Sequence, residues 1–232
     1  MQFDPYCYPG TNVLINKFNV RTNEALDIIE GNITSINLSC FDDIKLLFSD
    51  GFNFDSLLDL HRFIFGDIYE WAGTIRETEI SKREKLLGGS VKYAYPSAIK
   101  IKASHCIDHL NKQDWKRLSL DYKIELFAKG IADLWQVHPF REGNTRTIIT
   151  FACEFADANG FPIDRSLLSQ NSKYTRDALV LASIGKYSEH QHLIKIFKDS
   201  LEQEENIHYS KAEQAEDEII LPYESLNNYY HK

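Results

Sequence analysis

Residues 119–158 read SLDYKIELFAKGIADLWQV, then HPFREG, then NTRTIITFACEFADA, and this joint decides the fold. In the first stretch Leu120, Ile124, Phe127, Ile131 and Leu134 recur at helical spacing, with Ser119 or Asp121 as a start. His138 stands at the end of that helix, and Pro139 argues that the helix stops there. A helical pattern resumes over 144–158 and runs into Asn159-Gly160-Phe161-Pro162, a strong stop signal. The sequence therefore places a short loop between two helices. The second helix turns its unbonded backbone N–H groups and the positive end of its dipole towards that loop, as an anion-binding site does.

The loop carries the chemistry to match. His138 is its one side chain that can exchange a proton near neutral pH, so it can act as a general base on a hydroxyl. Glu142 offers a hard oxygen, suited to Mg²⁺ when substrate phosphates supply further ligands. Asn144 can donate to a phosphate oxygen, and Arg146 can neutralise charge on phosphoryl groups. Phe140 reads as a core plug and Gly143 as a turn residue. Taken singly, each residue also suits a plain helical corner; taken together they point to a phosphate site.

The stretch His138-Pro-Phe-Arg-Glu-Gly-Asn-Thr-Arg146 resembles the signature of the Fic (Fic/Doc) family, His-x-Phe-x-Asp/Glu-Gly-Asn-Gly-Arg-x-x-Arg. Asp4-Pro-Tyr-Cys-Tyr-Pro-Gly-Thr-Asn-Val-Leu14 is similar to the usual opening of members. His61 to Arg76 resembles the segment leading to their docking hairpin. The resemblance spans roughly residues 1–200. It implies an all-α fold, a Fic-type helical core with a small β-hairpin flap near the active site at about 76–95, and a C-terminal extension or tail over 201–232. It also implies transfer of AMP from ATP to a Ser, Thr or Tyr hydroxyl of a target protein. His138 would be the base and Glu142 the Mg²⁺ ligand, with Arg141, Gly143, Asn144, Thr145 and Arg146 on the nucleotide. The alternatives are another nucleotide donor, phosphoryl transfer, or a catalytically weak nucleotide-binding module.

Two positions depart from the signature. Thr145 stands where the pattern has its second glycine; positive φ would cost a threonine about 1–2 kcal/mol, and a helical φ would cost it nothing. Ile149 stands where the pattern has its final arginine, which removes a cation one turn beyond Arg146. In the family that arginine is also the partner of an inhibitory glutamate. Glu30-Gly31-Asn32 matches half of the inhibitory motif, but Leu26 does not, so Glu30 is expected to be an ordinary helix-end charge with no inhibition of the familiar kind.

Over 74–96, Thr78–Ser81 and Ser90–Tyr93 are β-prone, with Gly88-Gly89 between them. A hairpin there would offer an edge along which an extended target segment pairs. Further helices are expected near 22–30, 39–49, 55–66, 96–112, 165–183 and 187–206.

Composition agrees. A chain of 232 residues with 43% hydrophobic content can bury one sizeable core. The net charge of −8 disfavours direct nucleic-acid binding. No apolar run has transmembrane length and no signal-peptide pattern opens the chain, so the cytoplasm is expected, secretion as an effector staying open. Cys7, Cys40, Cys106 and Cys153 lack metal spacing and read as reduced thiols. His105 and His109 share a helical face without a third ligand. Beyond ATP and the target, an inhibitory partner protein or a homo-oligomer is compatible with the sequence.

Overall fold

The computed structural model describes residues 4–80, 83–84 and 89–201. Nine α-helices are formed among them: α1 Asn23–Ser39, α2 Phe41–Leu46, α3 Phe54–Phe65, α4 Ile99–Asn111, α5 Leu120–Val137, α6 Asn144–Ala158, α7 Arg165–Gln170, α8 Ser172–Ala182 and α9 Gln191–Asp199. The two helices predicted on either side of the loop form α5 and α6 with almost the predicted bounds.

Periodicity explains the core. Ile124, Phe127, Ile131 and Leu134 of α5 and Ile148, Phe151, Ala152 and Phe155 of α6 are buried against each other and their neighbours. Burying each large apolar side chain contributes about 1.5–3 kcal/mol. Aromatic rings continue this core outwards: Phe52 stacks on Phe48 and meets Phe155 edge-on, and Trp115 meets Phe127 edge-on. α3 starts at Asn53, whose side chain accepts from the Ser56 N–H while Ser56 Oγ accepts from the Asn53 N–H, a reciprocal cap.

Three expectations need correction. The first helix does not end at Glu30: α1 runs through Gly31 and Asn32 to Ser39. Glycine costs a helix interior about 1 kcal/mol, and packing of α1 on α3 outweighs it here, with Leu26 and Thr34 buried. The predicted helix over 165–183 breaks at Asn171, whose φ of −105° and ψ of 29° leave the helical range. In the hairpin, residues 78–80 and 91–93 carry no strand. Among the described residues strand pairing joins β1 Arg83–Glu84 and β2 Gly89–Ser90, antiparallel, with Arg83 opposite Ser90.

The helix predicted over 187–206 begins with a 3₁₀ turn at Gly185–Tyr187 and closes as α9 at Asp199. Of the tail expected over 201–232, all but Leu201 lies outside the described residues. All four cysteines are free thiols. Among the described residues no helix is long and apolar enough to cross a membrane.

Candidate active site

The site is built on the gap between α5 and α6. His138 follows α5 with left-handed backbone, φ 53° and ψ 61°, rare for a residue with a side chain. Contacts on both sides hold it there. Its N–H donates to the Trp135 carbonyl at 3.1 Å, and its carbonyl accepts from Arg76 Nε at 2.8 Å. The imidazole is 3% exposed and stacks on Tyr93, ring centres 3.9 Å apart, with Trp135 edge-on.

Arg76 does more than hold one carbonyl. Its guanidinium is buried and also donates to the carbonyls of Thr78 (2.7 Å) and Ala94, while its N–H donates to the Pro139 carbonyl at 2.9 Å. One side chain thus ties both legs of the hairpin segment to the loop between α5 and α6. Burial, the largest influence, depresses its pKa, yet a guanidinium so placed stays charged.

Beneath the loop lies His61 of α3. Its ring is buried and stacks flat under Phe140, centres 3.8 Å apart. Nδ1 accepts from the Gly73 N–H at 2.8 Å, so Nε2 carries the proton and donates to the Glu142 carbonyl at 3.0 Å. Burial pushes the His61 pKa down to about 3, which keeps the ring neutral. The sequence reading gave no role to His61 or Arg76; both act on the loop from distant segments, and no local pattern marks them.

Asn144 opens α6, and its amide is spent on the loop: Oδ1 accepts from the Phe140 N–H at 2.9 Å and Nδ2 donates to the Phe140 carbonyl at 2.8 Å. Its side chain therefore closes the turn, and what it offers an anion is the backbone N–H. Gly143, at φ 79°, is the helix cap, and a Cβ there would lie 2.4 Å from the Phe65 ring. Thr145 has helical backbone, so the strain that positive φ would bring is absent. Its hydroxyl accepts from Trp135 Nε1 at 3.0 Å.

Arg146 carries the largest surprise. Its Nη2 is paired with the Glu30 carboxylate, its Nη1 donates to Thr34 Oγ1 at 3.0 Å, and the guanidinium lies 4.7 Å over the Phe65 ring. Glu30 also accepts from the Tyr69 hydroxyl, whose pKa rises through burial and the neighbouring Glu30 charge. Glu30 is thus a mid-helix partner of the loop arginine rather than a helix-end charge. Arg141 points elsewhere, bonded to Asp4 at 2.6 and 3.1 Å, and is not among the residues lining the cavity described next. Burial would raise the Asp4 pKa, but the Arg141 hydrogen bond and its charge hold the carboxyl below its ordinary value.

A cavity of about 200 Å³ opens over the N-terminus of α6. Trp135, His138, Glu142, Gly143, Asn144, Thr145, Arg146 and Arg176 of α8 line it. Residues that carry one imidazole, one carboxylate and two guanidinium groups so line a cavity at the N-terminus of a 15-residue helix. A larger, mostly apolar cavity of about 540 Å³ adjoins it between α1, α6 and α7, sharing Thr145 and Arg146 and containing Ile149. Among the described residues no three His, Cys, Asp or Glu side chains gather as a metal cage. The donor set suits a cation that takes one protein carboxylate and fills its shell from phosphates and water, which is the habit of Mg²⁺.

Fold and loop together define a helical domain in which a single imidazole lies beside the N-terminus of α6 on the wall of one cavity. The Fic/DOC family model matches residues 51–156. A probable protein adenylyltransferase, y4lH, of Sinorhizobium fredii is 33% identical over 187 residues, covering 78% of this chain and 89% of that protein. The protein adenylyltransferase VbhT of Bartonella schoenbuchensis is 29% identical over 185 residues; the match takes in 79% of this chain and 36% of that longer protein. Among solved structures, BepC of Bartonella tribocorum with bound AMPPNP superposes with a TM-score of 0.72 at 23% identity, over 86% of this chain and 97% of that one. The chain belongs to the Fic/DOC family.

Proposed function

We propose that this protein is a protein adenylyltransferase that moves AMP from ATP to a Ser, Thr or Tyr hydroxyl of a target protein. The observation that carries the reading is His138, fixed in left-handed backbone on the wall of the cavity that the α6 N-terminus closes. The curated names of the relatives support it. In this reading His138 takes the proton of the target hydroxyl as its oxygen attacks the α-phosphorus. The bond from the α-phosphorus to the bridging oxygen breaks, and pyrophosphate leaves. The backbone N–H groups of Asn144 and Thr145 and the Arg146 guanidinium meet phosphate oxygens. Glu142 would hold Mg²⁺, which offsets phosphate charge when bound. Catalysis of this kind is positioning plus charge stabilisation, which a buttressed loop supplies.

The target segment would pair along the hairpin rooted by Arg76. The enzyme is taken to work in the cytoplasm or in a cell that receives it. A second reading, another nucleotide donor or transfer of the γ-phosphoryl group, is favoured by one observation: Ile149 lines the adjoining apolar cavity and brings no cation to the phosphates.

Incubation with Mg²⁺, a cell lysate and ATP labelled at the α- or the γ-phosphate separates these readings. Labelled protein from the α-position, lost in His138→Ala, is the expected result. Label from the γ-position alone would favour the second reading. Nucleotide binding without transfer would leave a binding module, and labelling by His138→Ala equal to wild type would remove His138 as base.

A further inference from the structure

We infer that Trp135 and Thr145 together form a side-chain phosphate donor: the indole N–H fixes the Thr145 hydroxyl so that its proton is offered to a phosphate oxygen of the nucleotide. The inference deepens the adenylyltransferase reading of the same cavity and rests on it.

α6 carries three threonines, and they spend their hydroxyls differently. Thr147 Oγ1 donates to the Gly143 carbonyl at 3.0 Å and Thr150 Oγ1 to the Arg146 carbonyl at 2.9 Å, each four residues back along the chain. Thr145 stands in the first turn, where the residue four back, Arg141, precedes both the helix and its cap. Its hydroxyl accepts from Trp135 Nε1 at 3.0 Å and, among the described residues, donates to nothing. Its backbone N–H belongs to the first turn, whose donors have no helical acceptor.

The indole partner settles the direction of the hydroxyl. An indole nitrogen can only donate, so the threonine proton must turn away from it. Trp135 is fully buried, with Tyr93 and His138 edge-on to its ring, so its N–H is held in one direction. Thr145 is half-buried and lines the cavity with His138, Glu142 and Arg146, and that cavity is where an acceptor for its proton can sit. Phosphate oxygens are charged acceptors, and an O–H bonded to one is about twice as strong as a neutral pair. A hydroxyl that already accepts from an indole is polarised to donate more strongly. The family signature has glycine at position 145, which offers no side-chain donor; this chain adds one.

The test is titration calorimetry of Mg²⁺·ATP on the full chain. Thr145→Val keeps the shape and deletes the donor, and it should weaken binding by about tenfold, the scale of a lost charge-assisted contact. Thr145→Ser keeps the hydroxyl and should retain most of the affinity. Trp135→Phe leaves the hydroxyl without its orienting partner and should lose severalfold. Thr145→Val combined with Trp135→Phe should bind no worse than Thr145→Val alone, because the indole acts only through the hydroxyl. That double variant leaves neither partner unpaired, and it carries the test should Thr145→Val not fold. Wild-type affinity in Thr145→Val or in the double variant would overturn the proposal. So would a Thr145→Ser loss equal to that of Thr145→Val, or a double variant whose loss is the product of the two single losses. Wild-type protein that fails to bind Mg²⁺·ATP would overturn the adenylyltransferase reading as well; intact wild-type binding with indifferent variants would sink only the Trp135–Thr145 donor.

Discussion

Glu30 of α1 is paired with Arg146 of α6, the arginine proposed to meet the phosphates, and the Tyr69 hydroxyl donates to the same carboxylate. The pair is partly buried, Glu30 at 13% side-chain exposure and Arg146 at 35%. In the proposed reaction a nucleotide phosphate and the Glu30 carboxylate would compete for one guanidinium.

Glu30→Gln should accordingly tighten Mg²⁺·ATP binding, by about tenfold if the competition is worth 1.4 kcal/mol. Thermal stability should fall at the same time, since Arg146 loses a charged partner on a half-buried surface. Calorimetric titration beside a melting curve measures both. Weaker ATP binding by the variant would mean that Glu30 aims Arg146 at the phosphates instead of holding it back.

Gly143 and Gly31 make opposite demands on a methyl group. At Gly143 the φ of 79° and the Phe65 ring leave no room for Cβ, so Gly143→Ala should destabilise the protein by about 2 kcal/mol or more. It should also displace the first turn of α6 and abolish transfer. Gly31 lies inside α1 with ordinary helical backbone and open space where a Cβ would stand. Gly31→Ala should stabilise by about 0.5–1 kcal/mol. Denaturant midpoints of the two variants check both signs.

The loop between α5 and α6 was legible because its residues are neighbours in the chain and its flanks keep one period over nearly forty residues. α1 was read too short because Gly31-Asn32 is a good stop locally, and only packing against α3 carries the helix past it. The hairpin was placed on the β-branched residues at Thr78 and Ile80, yet the pairing forms at Arg83–Glu84 and Gly89–Ser90, where tertiary context overrides propensity. What could not be read is what other segments bring: Glu30 to Arg146, His61 under Phe140, Arg76 to the His138 carbonyl, Arg176 to the cavity. Asn144 shows the converse. Its residue type fits a phosphate ligand, but its amide is satisfied by the Phe140 backbone.

His61 makes stability depend on pH with a definite sign. The unfolded side chain titrates near its ordinary value of 6.5 and burial lowers the folded one to about 3, so the unfolded chain binds more protons between those values. The contribution is complete above pH 6.5 and is lost as pH falls towards 3, with a limiting slope of about 1.4 kcal/mol per pH unit. His61→Phe keeps a flat ring against Phe140 and removes the titration. Denaturant unfolding from pH 7.5 to 5 should show the gap between wild type and variant shrinking by about 2 kcal/mol. A constant gap would mean that the His61 ring takes up its proton without leaving the fold.

Thr145 and Ile149, the two departures from the family signature, should respond in opposite ways. Thr145 has helical backbone and accepts the Trp135 indole N–H at 3.0 Å, so glycine there removes an acceptor from a buried donor and adds freedom to the first turn of α6. Thr145→Gly should cost about 1–3 kcal/mol of stability and weaken transfer. Ile149 is half-buried beside a cavity of about 540 Å³, which has room for a guanidinium. Ile149→Arg should fold and raise ATP turnover several-fold, because a cation arrives within reach of Arg146 and the phosphates. The double variant should then turn over ATP faster than wild type only through position 149, and single-turnover rates for the three variants separate the contributions. Equal gains from both single substitutions would show that the threonine crowds the phosphate, contrary to the helical geometry and hydrogen bond it adopts.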